Sequence, residues 1–275
     1  MDEMVRAQRC LEALRDGGVL VVLTGAGISA EVGIPTFRGE EGYWTRGSKV
    51  YRPMELATRA AFESEPATVW SWYLYRRGVC SAAAPGRGHE AVARMAAALG
   101  DRFHLVTQNV DGLHPRTGID PARIYEIHGN IFRARCSRDC SVETYPIPDR
   151  FDGWPKDAEV TAEDRDAMRC PACGAPGRPH VLWFDECYDE ARYRADSALS
   201  AAAEADVLLV VGTSGATNLP MQMGALSAAR NIPIWDVNPE DNPFGDFARR
   251  TPGGVLRMGA GDALVALADA LSTAP

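Results

Sequence analysis

Apolar residues recur at helical spacing from Glu3 to Arg15, and the pattern stops at Gly17-Gly18, a signal for a helix C-terminus. A different pattern follows at once. Val19-Leu20-Val21-Val22-Leu23 is a continuous run of branched and aliphatic residues, as expected of a central parallel strand buried on both faces. Phe103 to Val106, Ile124 to Ile127, Val207 to Val211 and Ile232 to Val237 read the same way. Helical patterns separate these runs at His89 to Leu99, Tyr193 to Ala205 and Leu219 to Arg230, and an Ala/Leu-rich helix follows at Asp262 to Leu271. Alternating strands and helices predict an α/β fold with a Rossmann-type, doubly wound parallel sheet.

Two stretches break the alternation. Residues 36–88 carry helical patterns and many aromatics but no clear strand. Residues 132–179 are rich in Pro, Asp and Arg and poor in apolar periodicity. Both are expected to be insertions that form a smaller domain. The predicted division is 1–35, 89–131 and 180–275 for the Rossmann-type domain, with a helical module at 36–88 and a cysteine-bearing module at 132–179.

Composition narrows the class. With 275 residues, 46% of them hydrophobic, the chain can bury one large core and a small one. A formal net charge of -8 argues against a broad nucleic-acid surface. No apolar run approaches a membrane span, and the charged N-terminus enters a helical pattern rather than a signal peptide. The seven cysteines are an odd number; Cys10, Cys80 and Cys187 stand scattered among apolar residues. The other four form two close pairs, Cys136-x3-Cys140 and, 29 residues on, Cys170-x2-Cys173. This is not a disulfide framework, and a reducing, cytoplasmic location is expected. Two thiol pairs around a loop-rich insert read as a tetrahedral zinc site. With four thiolates it has no open position for water, so it is structural. A redox pair or free thiols are the alternatives.

Several strand ends carry polar motifs. After the first strand, Gly25, Gly27 and Ala30 satisfy the G-x-G-x-x-G/A spacing that lets a backbone approach a pyrophosphate. The acidic residue that a dehydrogenase places about 20 residues on is missing. In its place Glu31 to Gly39 reads as a loop over the nucleotide, with Phe37 and Arg38 in it. After the Phe103 strand comes Thr107-Gln108-Asn109-Val110-Asp111-Gly112-Leu113-His114, whose amides and carboxylate suit ribose hydroxyls and a carboxamide, or simply cap a helix. Glu126-Ile127-His128-Gly129-Asn130 puts a histidine, a candidate general base, at a third strand end. Gly212-Thr213-Ser214 and Asn238 follow later strands and suit phosphate or ribose, or ordinary turns.

In this order, and over nearly the whole chain, these motifs resemble the sirtuins, NAD-dependent protein lysine deacylases. The resemblance implies a Rossmann-type domain with a zinc module and a helical module, and NAD meeting acyl-lysine in the cleft between them. NAD is then a cosubstrate. The acyl oxygen attacks the ribose carbon, nicotinamide leaves, and O-acyl-ADP-ribose and free lysine result. By match, His128 is the base on a ribose hydroxyl. Asn109 and Asp111 hold the nicotinamide ribose and carboxamide, and Gln108 touches the ribose with Val110 beside it. Ala26 approaches through its backbone, Phe37 and Arg38 lie over the reacting ribose, and Gly25, Gly27 and Ala30 line the turn. Gly212, Thr213, Ser214, Asn238 and Ala260 serve the adenosine half. The implied partner is an acylated-lysine protein or peptide. No nucleic acid or membrane partner follows, and no oligomeric state.

Within the helical module, Trp72 to Arg77 reads WYLYRR, and Tyr73 and Arg76 share a helix face. Sirtuins that resemble this chain there carry such a pair facing the acyl chain, and Ala57 matches a small residue that widens the pocket. They prefer succinyl, malonyl or glutaryl groups. A plain helix face is the alternative. Val181, Trp183, Phe184, Asp185 and Glu186 match the substrate-binding strand, but Asp185 stands where Gly is usual. Gly215 to Pro220, the first cysteine spacing and Val32 also depart from the family pattern. A plain deacetylase, an NAD hydrolase or ADP-ribosyl transferase, and a non-catalytic NAD sensor remain competing outcomes.

Overall fold

The computed structural model describes residues 2–35, 44–46, 49–156 and 158–272. Eleven strands are described: β1 (Leu20–Thr24), β2 (Trp44–Arg46), β3 (Lys49–Tyr51), β4 (Phe103–Thr107), β5 (Ile124–Glu126), β6 (Gly129–Cys136), β7 (Thr144–Pro146), β8 (Gly177–Val181), β9 (Val207–Val211), β10 (Ile234–Val237) and β11 (Gly254–Leu256). Six of them form one parallel sheet in the order β11-β10-β9-β1-β4-β5. The continuous apolar run of β1 is split between its two faces by the two-residue period of a strand. Leu20 and Val22 join one core with the helices Glu3–Glu12, Arg87–Leu99 and Ala260–Ser272. Val21 and Leu23 join the other, with Ala195–Glu204 and Asn218–Ala229. Each such side chain is fully buried and contributes about 1.5–3 kcal/mol. The sheet is thus doubly wound, as the pattern predicted.

Beside this domain lies a second core. The helix Pro66–Ala82 lays Trp70, Tyr73 and Leu74 against residues of β6, β8 and the cysteine module, including Ile131, Ala134 and Val181. β6 pairs antiparallel with both β7 and β8. The helical and cysteine modules therefore share one interior, and β6 and β8 run across the edges predicted at 131 and 180.

Several elements differ from the pattern reading. The 36–88 stretch does hold strands, the hairpin β2–β3. β11, only three residues long, carries too few residues for a periodicity signal. The helix expected from Tyr193 begins at Ala195, because Arg194 adopts φ 52° and ends a preceding turn of helix, Glu190–Tyr193. Cys187, expected among apolar neighbours, is exposed. Among the described residues no helix is long and apolar enough to cross a membrane.

Candidate functional site

The site opens where β1 sits between β9 and β4, at the point where the strand order reverses. The turn after β1 is pressed backbone to backbone against the turn after β9. Gly27 N donates to Gly212 O at 2.8 Å, and a Cβ on Gly27 would lie 2.6 Å from Gly212 Cα. The glycine spacing is thus demanded first by the packing of two loops, before any nucleotide arrives.

Beneath those turns the polar side chains engage one another. Asn109 Nδ2 donates to Gly25 O and to Ser29 Oγ, both at 3.1 Å. Ser29 Oγ donates to Asp111 Oδ2 at 2.7 Å. Gly86 N donates to His89 Nδ1 at 3.2 Å, so His89 carries its proton on Nε2, which faces Ser29 Oγ at 3.3 Å. Ser29 thereby gives one hydrogen bond and receives two, and Asn109, Asp111 and His89 are all buried around it. Burial holds His89 below its ordinary value, with Asp111 opposing. His114, its ring 4.8 Å from that of His89 and tilted by 57°, is lowered too, first by burial and then by its neighbour. Gln108 spans to the other loop: its Nε2 donates to Thr213 Oγ1 at 2.9 Å, and its Oε1 accepts from Thr217 Oγ1 at 3.1 Å. Val110 is buried, and its carbonyl accepts from Ile131 N at 2.9 Å.

His128 follows β5. Its Nδ1 faces the Gln108 carbonyl at 2.9 Å and must carry the proton, leaving Nε2 bare. Burial pushes its pKa down to about 4, opposed by that carbonyl. The imidazole is therefore neutral at pH 7, the form a base requires. Gly129, next in the chain, has φ 84°, and a Cβ there would lie 2.2 Å from His180 O, so only glycine lets β6 start here. Nearby, burial raises Glu126 to about 7, although Asn130 Nδ2 donates to it at 2.8 Å; the Asp111 charge adds to the rise.

On the far side of β9, Thr213 is buried, Ser214 is exposed, and Asn238 Nδ2 donates to Thr213 O at 2.9 Å. Ala26 caps and Ala30 ends the short helix Gly27–Ala30, and Ala260 begins the helix Ala260–Ser272 beyond β11. All of them stand at carboxyl ends of the sheet's strands. Phe37 and Arg38 lie outside the described residues.

The residues expected to meet the acyl group converge from two modules. Trp183 Nε1 donates to Tyr73 Oη at 2.9 Å. An indole N–H can only donate, so the Tyr73 hydroxyl keeps its own proton to give elsewhere. Burial pushes the Tyr73 pKa well up, so the phenol stays neutral. Arg76, half-buried, holds its guanidinium 5.4 Å from the Trp72 ring centroid. Arg77, its neighbour, turns away into an ion pair with Asp152 at 2.5 Å. Ala57 is buried, and its carbonyl accepts from Phe184 N at 3.0 Å.

The expected substrate strand ends early, at Val181. Phe184 N is spent on Ala57, and the Phe184 ring is exposed. Asp185 accepts from the backbone N–H groups of Arg59 at 2.7 Å and Ala60 at 3.1 Å, capping the helix Arg59–Ser64. Glu186 is drawn inward between Arg178 and Arg135, and its Oε2 accepts from Trp183 N at 3.1 Å. The Arg178 guanidinium lies 3.3 Å from the Trp183 ring centroid. These pulls bend residues 183–186 into a turn, and they commit the Asp185 and Glu186 carboxylates to the protein itself.

The four paired cysteines meet. Their sulfurs lie within 4.8 Å of one another, with Cys136 to Cys173 at 3.6 Å and Cys140 to Cys170 at 3.5 Å. A tetrahedron with metal–sulfur bonds of about 2.3 Å has edges of about 3.8 Å, whereas a disulfide needs about 2.05 Å. The cluster fits a structural zinc ion. Hydrogen bonds with Cys173, Cys170 and Cys136 push the Cys140 thiol up to about 12, a strain that a cation at the centre would reverse.

Ser29, His89, Tyr188 and Thr217 belong to the site although pattern reading gave them no role. Ser29 lies inside the glycine motif, but His89 starts a helical pattern and Tyr188 falls between patterned segments. Only the partners brought by other strands mark them.

Residues 25–218 match the model described as Sir2 family. The chain is 37% identical over 267 residues to the NAD-dependent protein deacylase of a strain of Thermus thermophilus, covering 96% of this chain and 94% of that protein. It is 38% identical over 234 residues to the enzyme of the same description from Aquifex aeolicus, covering 83% and 87%. Among solved structures, a Sir2 homolog in complex with NAD superposes with a TM-score of 0.78 at 32% identity, covering 96% of this chain and 93% of that one. A mutant homologue in complex with 2'-O-acetyl ADP ribose superposes at 0.79 and 33% identity, covering 99% of each.

Proposed function

The chain belongs to the Sir2 family and is an NAD-dependent protein deacylase, and we propose that it prefers lysine acyl groups ending in a carboxylate, succinyl or malonyl, over acetyl. The observation that carries this is the Tyr73 hydroxyl. It is fixed by Trp183, neutral, and left with a proton to donate, one helical turn from the Arg76 guanidinium. A neutral donor beside a cation suits an acid and gives little to a methyl group. A charge-assisted contact of this kind is worth roughly 1.5–3 kcal/mol, or about tenfold to a hundredfold in preference.

The chain's residues divide the reaction between them. Gln108, Asn109 and Asp111 receive the nicotinamide half of NAD, while Thr213, Asn238 and the Gly25–Gly27 turn receive the adenosine half. The acyl oxygen attacks the ribose carbon, and nicotinamide leaves with the electron pair of the glycosidic bond. His128 then takes the proton of a neighbouring ribose hydroxyl on Nε2, and the freed oxygen attacks the acyl carbon. The lysine nitrogen takes up a proton and leaves as the amine, one water adds to the acyl carbon in its place, and the bond from that carbon to the first ribose oxygen breaks. The products are nicotinamide, the unmodified lysine and O-acyl-ADP-ribose. The acylated lysine arrives on a protein or peptide that lies along Val181 to Phe184.

Matched acetyl- and succinyl-lysine peptides with NAD test the preference. Succinyl turnover is expected to exceed acetyl turnover. Arg76→Met should lower succinyl kcat/KM about tenfold to a hundredfold and spare the acetyl reaction. Equal or faster acetyl turnover by the unaltered enzyme would sink the preference, and loss of both activities would make Arg76 a packing residue.

A further inference from the structure

The bare nitrogen of the proposed base is not empty-handed. Tyr188 Oη lies 2.8 Å from His128 Nε2, and the two rings are 5.9 Å apart at 32°. Because Nδ1 keeps its proton for the Gln108 carbonyl, the phenol is the donor and Nε2 the acceptor. The phenol occupies the lone pair that a ribose hydroxyl must reach. Burial raises Tyr188 to about 12, so it remains a donor throughout the working range.

A second acceptor stands beside it. Thr217 neighbours the Tyr188 phenol, and its Oγ1 directs its single proton to Gln108 Oε1 at 3.1 Å. Thr217 Oγ1 therefore has a lone pair to offer. A small swing of the Tyr188 ring would carry the phenol oxygen off His128 Nε2 and point its hydrogen at Thr217 Oγ1, so neither arrangement strands the donor. With the phenol on Nε2 the base is blocked; with the phenol on Thr217 it is free.

We infer that Tyr188 is a displaceable cap on His128: it fills the Nε2 lone pair in the free enzyme, fixes the neutral tautomer, and turns to Thr217 when the ribose of NAD arrives. This rests on the reading of His128 as the base. The exchange needs no further reactant, since the phenol proton changes acceptors and no covalent bond to carbon changes. The cap makes the resting base a positioned imidazole whose reactive nitrogen is shielded until the nucleotide displaces the phenol. Tyr188 is a positioning residue, acting through His128.

The test is Tyr188→Phe, which keeps the ring packing and deletes the donor. Its sign follows from the hydrogen bond. A donor to the bare nitrogen stabilises neutral imidazole, so its removal raises the His128 pKa, by about half to one unit. NMR titration of His128 in the ligand-free protein reads this without any turnover. The Kd for ADP-ribose by calorimetry should tighten about two- to fivefold, because the ribose no longer competes with the phenol. Thr217→Val removes the alternative acceptor and should weaken ADP-ribose binding while the His128 pKa holds or falls. An unmoved His128 pKa in Tyr188→Phe overturns the cap, as does weaker ADP-ribose binding in that variant. If His128→Ala deacylates normally, the base assignment fails and the catalytic half of the inference with it, while the titration still decides whether the phenol caps the ring.

Discussion

Across the cleft the two ligand halves are built differently. On the nucleotide side Ser29, Asn109, Asp111 and His89 are buried and bonded to one another, and half-buried Gln108 is bonded to Thr213 and Thr217, so the hydroxyls and amides already have partners. On the proposed acyl side the Tyr73 oxygen, among the described residues, accepts from Trp183 and keeps its own proton, and Arg76 lies half-buried over Trp72. The first arrangement is rigid before the ligand comes, since each buried group left unpaired would cost about 1–3 kcal/mol. The second leaves the Tyr73 proton unspent, as the proposed preference for an acid requires. Preorganisation serves the cosubstrate, which is the same in every turnover. The unspent proton would serve the substrate, where the proposed selectivity is read.

The largest effect should come from the nucleotide side. His128→Ala removes the proposed base, an imidazole with an unprotonated Nε2 and a neutral ground state. It should lower kcat about 10²–10⁴-fold for acetyl and succinyl peptides alike. The ratio of the two activities should not change. Steady-state rates on both peptides check this, and a changed ratio would mean that the two sides are not independent.

Next in size is Glu126→Gln, which probes how tightly the nucleotide side is packed with acids. The folded protein raises Glu126 from an ordinary 4.5 to about 7, first by burial, with Asp111 contributing. A raised carboxylate costs stability as pH rises above the ordinary value, and the full cost is present above about 7. The glutamine keeps the oxygen that Asn130 uses and carries no charge. Thermal unfolding at pH 8 should show the variant more stable by as much as about 3 kcal/mol, an upper bound because the carboxyl is not fully sealed. The gain should vanish below about pH 4.5. A variant no more stable at pH 8 than at pH 4.5 would show that the acids there are better solvated than their burial implies.

How much of this was readable along the chain follows the same division. The sheet was legible because buried parallel strands are apolar runs: β1 and β9 are nearly unbroken, and β4 is interrupted only by His104 before its final Thr107. The cysteine cluster was legible because two close thiol pairs have few uses. The glycines after β1 were found, but the nucleotide is only half their reason; the other half is Gly212, which no local pattern could supply. Ser29, His89 and Tyr188 acquire meaning only from partners that the fold brings from 60 or more residues away. β11 and the β2–β3 hairpin, three residues to a strand, fall below the length at which periodicity speaks. Asp185 was read as a group facing the peptide, because the pattern shows a carboxylate but not the helix end that captures it.

That carboxylate gives the smallest and most discriminating test. Asp185 reaches from the substrate segment to the N-terminus of the helix Arg59–Ser64, where Thr58 Oγ1 already accepts from Ala61 N at 3.0 Å. The helix is six residues long and has two caps, so neither is worth its full isolated value. Asp185→Ala should cost only about 0.5–1 kcal/mol in denaturant unfolding. Its greater consequence is positional. The capped helix follows Ala57, whose carbonyl holds Phe184, so the cap fastens the lip of the acyl pocket to the peptide segment. Loosening it should raise the KM for acyl peptides about two- to fivefold and leave the Kd for ADP-ribose unchanged. A peptide KM that stays constant would return Asp185 to a simple helix cap, and a weakened ADP-ribose Kd would erase the boundary between the two sides. If instead peptides with Lys or Arg beside the acylated lysine alone lose affinity, the carboxylate reads the peptide as well as the helix.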